Sequence, residues 1–467
     1  MAYLNSKQRQ NIVESIANNF RNEFINKSGL ISRNYPPDER SIIDNFDDIV
    51  PFLDYFGYSD IVFSQIDILT PDSYEEEMSV NGVLFSYKID EYIGGLNHIF
   101  KKFRNKKTEI LLNDAITKTF KYFIKGDQFS DTYDLNLKKR SKYYSTWSAG
   151  FLETLLEVEP VNKQKKNIDD VNKILLAWIK SPFFVRHNLF PFRSSLLALN
   201  FSLEEFNSKL NNFCGEVPEK LVKHPNKFKN FFYKNFYLHE LKDGLNRYSK
   251  SGHWVQLMKS NTTPVFTMIE MYKLTGEDIW YQTVNNWIES ALEKFIDEHY
   301  NPYEIWIQNK KKNPSLTAGF IIIDVICDAY KFVKQNNDWL DKATKIANKC
   351  LSWSWSNNLI PMTPYSEINH IDNQIDFAIS IRKIGEITNN SELKSYSFKL
   401  VEKTLEMHRS DKGFYTHIYQ NGKNKNLPKN TIDPKYNGLL LKGLVHLEEK
   451  NAEVYNNKYL IDLFKDR

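Results

Sequence analysis

Six stretches of this sequence share one form: a polar or aromatic lead-in, a small residue, an aromatic or Leu anchor, and an apolar helix-like run. They are Tyr87-Lys88-Ile89-Asp90-Glu91-Tyr92, Thr146-Trp147-Ser148-Ala149-Gly150-Phe151, Thr262-Thr263-Pro264-Val265-Phe266, Leu316-Thr317-Ala318-Gly319-Phe320, Gln374-Ile375-Asp376-Phe377 and Tyr436-Asn437-Gly438-Leu439. The anchors Tyr92, Phe151, Phe266, Phe320, Phe377 and Leu439 recur at roughly 57 residues, with one gap of about two periods between Phe151 and Phe266. A second landmark fills that gap. Asn188-Leu189-Phe190-Pro191 resembles Asn358-Leu359-Ile360-Pro361, and the offset from Leu359 to Phe377, applied to Leu189, lands at residue 207. A repeat of this length cannot bury its apolar face alone, so neighbours must stack into one continuous core.

Each repeat reads as a hairpin of two helices. After Phe266 comes the turn Thr275-Gly276-Glu277-Asp278 and a second amphipathic run; Gln335-Asn336-Asn337-Asp338 and Thr388-Asn389-Asn390-Ser391-Glu392 occupy equivalent turns. Gly or Asn supplies the left-handed residue there, and Asp or Ser the N-cap. First helices carry small residues (Ala149, Gly150, Ala318, Gly319, Gly438, Gly443) and second helices more charge. That pattern predicts an all-α chain, an (α/α)6-7 toroid with a period of about 57 residues; solenoid repeats are shorter, about 33–47. First helices are expected near residues 88, 148, 194, 264, 317, 373 and 436. Residues 1–70 are expected to form an N-terminal helical segment packing on a toroid domain over 71–467, with 217–250 as an extended outer helix and long aromatic loops at Tyr300 to Ser315 and Phe414 to Tyr436.

Composition removes several function classes. With 62 basic and 58 acidic residues there is no global nucleic-acid signal, and 14% aromatic content at near-zero net charge argues against disorder. Cys214, Cys327 and Cys350 form no C-x-x-C pair, which excludes a disulfide framework and a Cys-rich zinc site and suits a reducing compartment. The most apolar run, Phe320 to Cys327, is too short to span a bilayer, and residues 8–26 read as an amphipathic helix rather than a signal peptide. The expectation is a soluble cytoplasmic protein without membrane insertion. No P-loop, G-x-G-x-x-G, G-x-S-x-G or H-E-x-x-H stretch is present, so no cofactor and no metal are expected. Glu75-Glu76-Glu77 and Lys310-Lys311-Lys312 read as solvated loops, and Lys138-Lys139-Arg140 as a weak anion site.

The repeated hairpins resemble the α/α-toroid carbohydrate-active enzymes, broadly the unsaturated glucuronyl hydrolases, N-acylglucosamine 2-epimerases and glucuronyl C5-epimerases. Asn369-His370-Ile371-Asp372-Asn373-Gln374-Ile375-Asp376-Phe377 and Lys435-Tyr436-Asn437-Gly438-Leu439-Leu440-Leu441-Lys442-Gly443-Leu444 carry the likeness together with the hairpins. The resemblance implies a glycoside hydrolase or sugar epimerase acting on a sugar, oligosaccharide or uronic acid. A non-catalytic helical-repeat protein that binds a glycan or a protein partner is the alternative.

In a toroid the starts of the first helices converge, so distant residues meet. Asp376, His370 and Asp90 are the catalytic candidates; Asp372, Asn373, Tyr87, Tyr144, Trp147, His253, Trp254 and Tyr436 are the binding candidates. Sugar sites need flat aromatic faces and carboxylates or amides for hydroxyls. Asp372 and Asp376 share one helix face, and a carboxylate at a helix start suits a base. The acid must then be a second carboxylate of raised pKa, for which Asp90 or Glu91 is available. The competing readings are structural: Asp372 as an N-cap, Asp376 as a buried partner, His370 as a packing residue, His98 as a core residue, and His408 and His417 as rim markers.

Overall fold

Leu316–Phe332 shows why first helices are interior. Its sequence, LTAGFIIIDVICDAYKF, is apolar almost all round, and a helix of that kind can only be buried on most faces. Its partner Asn337–Leu351 carries one apolar stripe, and Trp339, Ala343, Ile346, Ala347 and Cys350 on that stripe are buried. The same contrast recurs along the chain in the computed structural model, which describes residues 4–158, 164–191, 194–196, 199, 254–256, 261–307, 310–420 and 432–448.

Short helices α1 (Ser6–Asn18), α2 (Val50–Tyr55), α3 (Ser59–Ile68) and α4 (Ser73–Met78) lead in. Hairpins follow: α5 (Ile89–Phe103) with α6 (Lys106–Phe123), and α7 (Ala149–Glu157) with α8 (Gln164–Ile179) and the short α9 (Pro182–His187). Then come α10 (Thr263–Thr275) with α11 (Asp278–Phe295), α12 (Leu316–Phe332) with α13 (Asn337–Leu351), α14 (Ile371–Ile387) with α15 (Ser391–Met407), and α16 (Pro434–Glu448). Six of the expected first-helix starts lie within two residues of those of α5, α7, α10, α12, α14 and α16. The expected hairpin near residue 207 and the stretch 217–250 lie outside the described residues.

Every described strand pairing is antiparallel. The stretch expected as a long loop at Tyr300 to Ser315 is a hairpin of Tyr303–Ile307 and Lys310–Pro314, so the lysine run is strand rather than loop. Glu75 and its neighbours sit in α4, where Glu75 pairs with Lys118 at 2.6 Å. Capping also falls differently from expectation. Gly276 is left-handed at the end of α10 as the turn requires, but Asn390, not Ser391, caps α15, accepting from the Glu392 and Leu393 N–H groups. An amide oxygen reaches those donors as well as a hydroxyl does.

Contacts divide the chain into two compact units. One comprises the described residues of Met1–Ser79, Lys88–Lys118 and Ala343–Arg467; the other those of Val80–Tyr87 and Thr119–Lys342. In the first, α5, α14 and α16 share a core with α1, α2 and α15, and Phe20, Phe46, Phe52 and Tyr92 are fully buried. In the second, α7, α8, α10, α11 and α12 bury Trp178, Trp280 and Trp287. Cys327 and Cys350 are free and buried. Among the described residues no helix is long and apolar enough to cross a membrane.

Candidate functional site

The stretch Ile42-Ile43-Asp44-Asn45-Phe46-Asp47-Asp48-Ile49-Val50 alternates large apolar residues with acids. Burying Ile42, Ile43, Phe46, Ile49 and Val50 forces the acids onto a neighbouring surface of the same unit. The segment folds as a 3-10 turn, Ile43–Asp48, packed on α5, α2 and α16. Glycines allow the approach: a Cβ on Gly95 would lie 2.6 Å from Phe46 Cβ, and one on Gly438 would lie 2.9 Å from the Asp48 carbonyl oxygen. Asp47 and Asp48 are thereby set beside the first turns of α5, with Asp90 and Glu91, of α14, with Asp372, and of α16, with Lys435 and Tyr436.

Lys435 is the centre of this cluster. Its Nζ lies 2.9 Å from Asp48 Oδ2 and 3.8 Å from Glu91 Oε1. Lys442, two turns further along α16, donates to Asp376 Oδ1 at 3.0 Å. Arg33 and Lys88 both pair with Asp44, Lys88 at 2.9 Å. Asn45 donates to Glu91. The side chains of Asp48, Glu91, Asp376, Lys435 and Lys442 keep only 14–28% of their surface in contact with water. One carboxylate oxygen each of Asp47, Asp48 and Glu91 fall within 4.8 Å of one another, a spacing that could hold a metal ion. In this structure the Lys435 ammonium supplies the cation to Asp48 and Glu91.

Burial, and then the crowding of acids, sets their protonation. Burial pushes the Glu91 carboxyl up to about 8 against the pull of Lys435, with Asp48 and Asp47 adding repulsion. Burial, then the neighbouring Asp376 charge, raises Asp372 to about 7. Asp47 and Asp90 are raised well above the usual carboxylate range, by burial first and then by adjacent acids. Asp433, beside Lys435, rises to about 6 through burial. Burial opposes the charge of Lys435 and Lys442, yet the surrounding carboxylates outweigh it and move both up. The cluster therefore sets carboxyls whose affinity for protons is raised towards neutral pH beside Asp48 and Asp376, which are ion-paired with lysines, the kind of pairing that general acid–base chemistry needs.

His370 ends strand Ile368–His370 and caps α14, its Nδ1 accepting from the Asp372 N–H at 3.2 Å. The N-cap expected of Asp372 is thus His370, and Asp372 is released from that task. An accepting Nδ1 leaves any ring proton on Nε2. The ring packs edge-to-face on Tyr436 at 4.6 Å and on His417 at 4.2 Å, its partner in the strand register. His417 is therefore not a mere rim marker. Nor is His408, which is fully buried, with Nε2 2.7 Å from Asn369 Oδ1 and Nδ1 2.6 Å from the Tyr415 carbonyl oxygen; burial lowers its pKa to about 4. His98 is the core residue expected of it, 2.9 Å from Asp54 Oδ2.

Of the residues singled out in the sequence, Asp90, His370, Asp372, Asp376 and Tyr436 come together in the first unit, with Asn373 buried in the same turn of α14. Tyr87 and Trp147 belong to the second unit, where their rings stack at 3.8 Å and 11°. Tyr144 is buried against Trp178 in that unit's core, which corrects its assignment to a binding surface. Trp254 lies on strand Trp254–Gln256, paired with Ile307, and His253 lies outside the described residues. The residues that sequence reasoning missed are Asp44, Asp47, Asp48, Lys435 and Lys442. A signal existed for the first three: acids interleaved in an otherwise apolar stretch must be partnered or clustered once it is buried.

No family model matches the chain, and no curated protein matches it in sequence. Solved structures do match. An alpha-1,2-mannosidase from Trichoderma reesei is similar with a TM-score of 0.63 at 11% identity, over 96% of this chain and 94% of that chain. A cellobiose 2-epimerase from Bacillus thermoamylovorans is similar with a TM-score of 0.57 at 9% identity, over 98% and 100%. An unsaturated glucuronyl hydrolase from Streptococcus agalactiae gives 0.52 at 8% identity, over 97% and 94%. All three are α/α-toroid carbohydrate-active enzymes, and the fold of this chain is of that class. The resemblance read from the repeated hairpins holds at the level of fold.

Proposed function

We propose that this chain is a carbohydrate-active enzyme, a glycoside hydrolase or sugar epimerase, whose acid–base groups are the carboxylates gathered around Lys435. The observation that carries the reading is a contrast within that cluster: Glu91 and Asp372, raised by burial to about 8 and about 7, stand beside Asp376 and Asp48, which are ion-paired with Lys442 and Lys435. The fold supports it, since similar structures include a mannosidase and an epimerase. In hydrolysis, Glu91 or Asp372 gives its proton to the leaving glycosidic oxygen while Asp376 takes one from the attacking water. In epimerisation, the base removes a proton from carbon and the acid returns one to the opposite face. His370 and Tyr436 shape the wall beside Asp372.

The test is turnover of a panel of glycosides and free aldoses by the purified chain and by Glu91→Gln, Asp372→Asn and Asp376→Asn. Turnover that falls at least ~100-fold in Asp376→Asn and in one of the two acid variants supports the reading. Binding of sugars without turnover in any condition would instead leave the chain as a glycan-binding helical-repeat protein.

A further inference from the structure

The second unit carries a group of cations that its own fold does not use. Lys138-Lys139-Arg140 run from the tip into the second strand of the hairpin formed by Thr132–Asp134 and Lys139–Arg140, and Lys142 follows. Arg140 donates to the Lys121 carbonyl oxygen, which brings the end of α6 alongside. Among the described residues none of Lys121, Lys138, Lys139, Arg140 and Lys142 forms an ion pair. In the first unit's cluster, by contrast, acids hold Arg33, Lys88, Lys435 and Lys442. Residues 121–142 contain six cations and three acids, a net +3 in 22 residues against +4 for all 467, and two of those acids, Asp131 and Asp134, are buried.

The tip of that hairpin is a second, independent observation. Turns of this kind favour Asn, Asp or Gly, above all where φ is positive. Here Leu137 and Lys138 occupy the tip, Lys138 at φ 48°. The turn is braced from below: Asp134 Oδ1 accepts from the Leu137 N–H at 2.8 Å, and the Leu135 N–H donates to the Gly82 carbonyl oxygen at 2.8 Å. A Cβ on Gly82 would overlap the Asn136 side chain, so glycine lets the two turns close on each other. Leu137 is left 63% exposed. Val80, at the same end of the sheet just before strand Val83–Phe85, is 42% exposed. Aliphatic side chains held out into water beside unpaired cations, against local turn preference, mark an interaction surface.

We propose that this hairpin tip docks on the surface of an anionic lipid bilayer, with Leu137 entering the boundary between headgroups and acyl chains and Lys138, Lys139 and Arg140 meeting the anionic headgroups. Such a surface offers negative charge and an apolar phase together, which is what the tip presents in complement. A nucleic acid or an acidic polysaccharide would take the cations but leave the leucine in water. A neutral bilayer would take the leucine but leave the cations without counter-charge. The contact is shallow and needs no spanning helix, in keeping with the absence of one among the described residues. Each lysine or arginine near an anionic leaflet adds roughly fivefold to affinity. The inference is independent of the carboxylate cluster and of the reaction proposed for it.

The experiment is co-sedimentation of the full chain with vesicles of phosphatidylcholine alone and of phosphatidylcholine with about 30% phosphatidylserine, at about 0.1 M and about 0.5 M salt. The expected result is binding to the mixed vesicles only, weakened at the higher salt. Lys138→Gln and Lys139→Gln together should weaken it by about 25-fold, two cations at about fivefold each. Leu137→Asn, which suits the turn, should weaken it by about fivefold or more. All three positions are exposed, so both variants should melt with the parent, which a thermal scan checks. No binding to the mixed vesicles, or equal binding to both kinds, overturns the proposal. Binding that the double lysine variant loses and Leu137→Asn keeps overturns it in favour of a site for soluble polyanions, with heparin and duplex DNA as the probes. Vesicle binding unchanged in both variants overturns the assignment to this hairpin.

Discussion

Asp376 and Lys442 make a 3.0 Å ion pair that is recessed but not sealed from water, with the carboxylate 25% exposed. Such a pair contributes at most about 1 kcal/mol to stability, and Asn in place of Asp still accepts from the ammonium. Asp376→Asn is therefore expected to melt within about 4 °C of the parent, since 1 kcal/mol is worth only ~2–4 °C in a large domain. Turnover should fall by ~100-fold or more if Asp376 is the base. Paired melting and rate measurements decide this, and a destabilised variant with intact turnover would make Asp376 a structural residue. Glu91, with its carboxyl near 8, should impose an alkaline limb on the pH–rate profile, and Glu91→Gln should lose activity and that limb together. A wild-type profile flat from pH 7 to 9 would remove Glu91 from the chemistry. Asp90, His370, Asp372, Asp376 and Tyr436 were legible because each stands at the start of a first helix. Tyr144 stands there too, but on a strand facing the core, and period alone does not tell a ring that lines a site from one that fills space.

Helices and turns carry the geometry by how closely they approach. The Ile43–Asp48 turn reaches α5 and α16 only because Gly95 and Gly438 lack side chains. Gly95→Ala would set a Cβ 2.6 Å from Phe46 Cβ and 3.0 Å from Phe46 backbone, contacts that neither partner can relieve by changing rotamer. Overpacking of this kind costs roughly 1–3 kcal/mol and should shift Asp47 and Asp48, so both stability and turnover are expected to drop. Gly443→Ala meets the flexible end of Ile375 at 2.8 Å instead and should cost less. Denaturant melts of the two variants test the order; equal costs would contradict it. The helical hairpins were legible from their period, yet the Tyr303–Ile307 and Lys310–Pro314 strands were not. A lysine run reads as solvated, and only its cross-strand register with Ile305, Trp306 and Ile307 makes it a ladder. The acidic turn was missed for a related reason: it belongs to no repeat, so nothing in the period marks where it docks.

At the scale of the whole molecule the buried acids make stability depend on pH in an unusual sense. Asp372 and Glu91 titrate near 7 and 8 in the folded chain but near the ordinary carboxylate value once unfolded. Between those limits the folded state holds protons that the unfolded state has released, so stability falls as pH rises. Two other groups act at lower pH with the opposite sign. Burial lowers His408 to about 4 and His446 well below its ordinary value, so protonation of the unfolded chain costs stability below about 6.5. At Asp38, Asp54 and Asp297 burial would raise the carboxyl, but hydrogen bonds outweigh it and lower all three, a contribution that disappears only below about 4. For Asp297 those bonds come from Asn301, Tyr303 and the backbone N–H groups of Asn301 and His299. Above about pH 6.5 the histidine contribution is complete and the raised acids still titrate, so the melting temperature should decline from there towards pH 9. A loss of about 1–2 kcal/mol across that window corresponds to a drop of roughly 2–8 °C, and Glu91→Gln should flatten the decline because glutamine has no proton to lose. Thermal melts at low ionic strength from pH 5 to 9 measure both curves. A melting temperature that holds or rises between about pH 6.5 and 9 in the parent chain would mean that the acids around Lys435 ionise without penalty, and with that the protonated donors proposed for the chemistry would be gone.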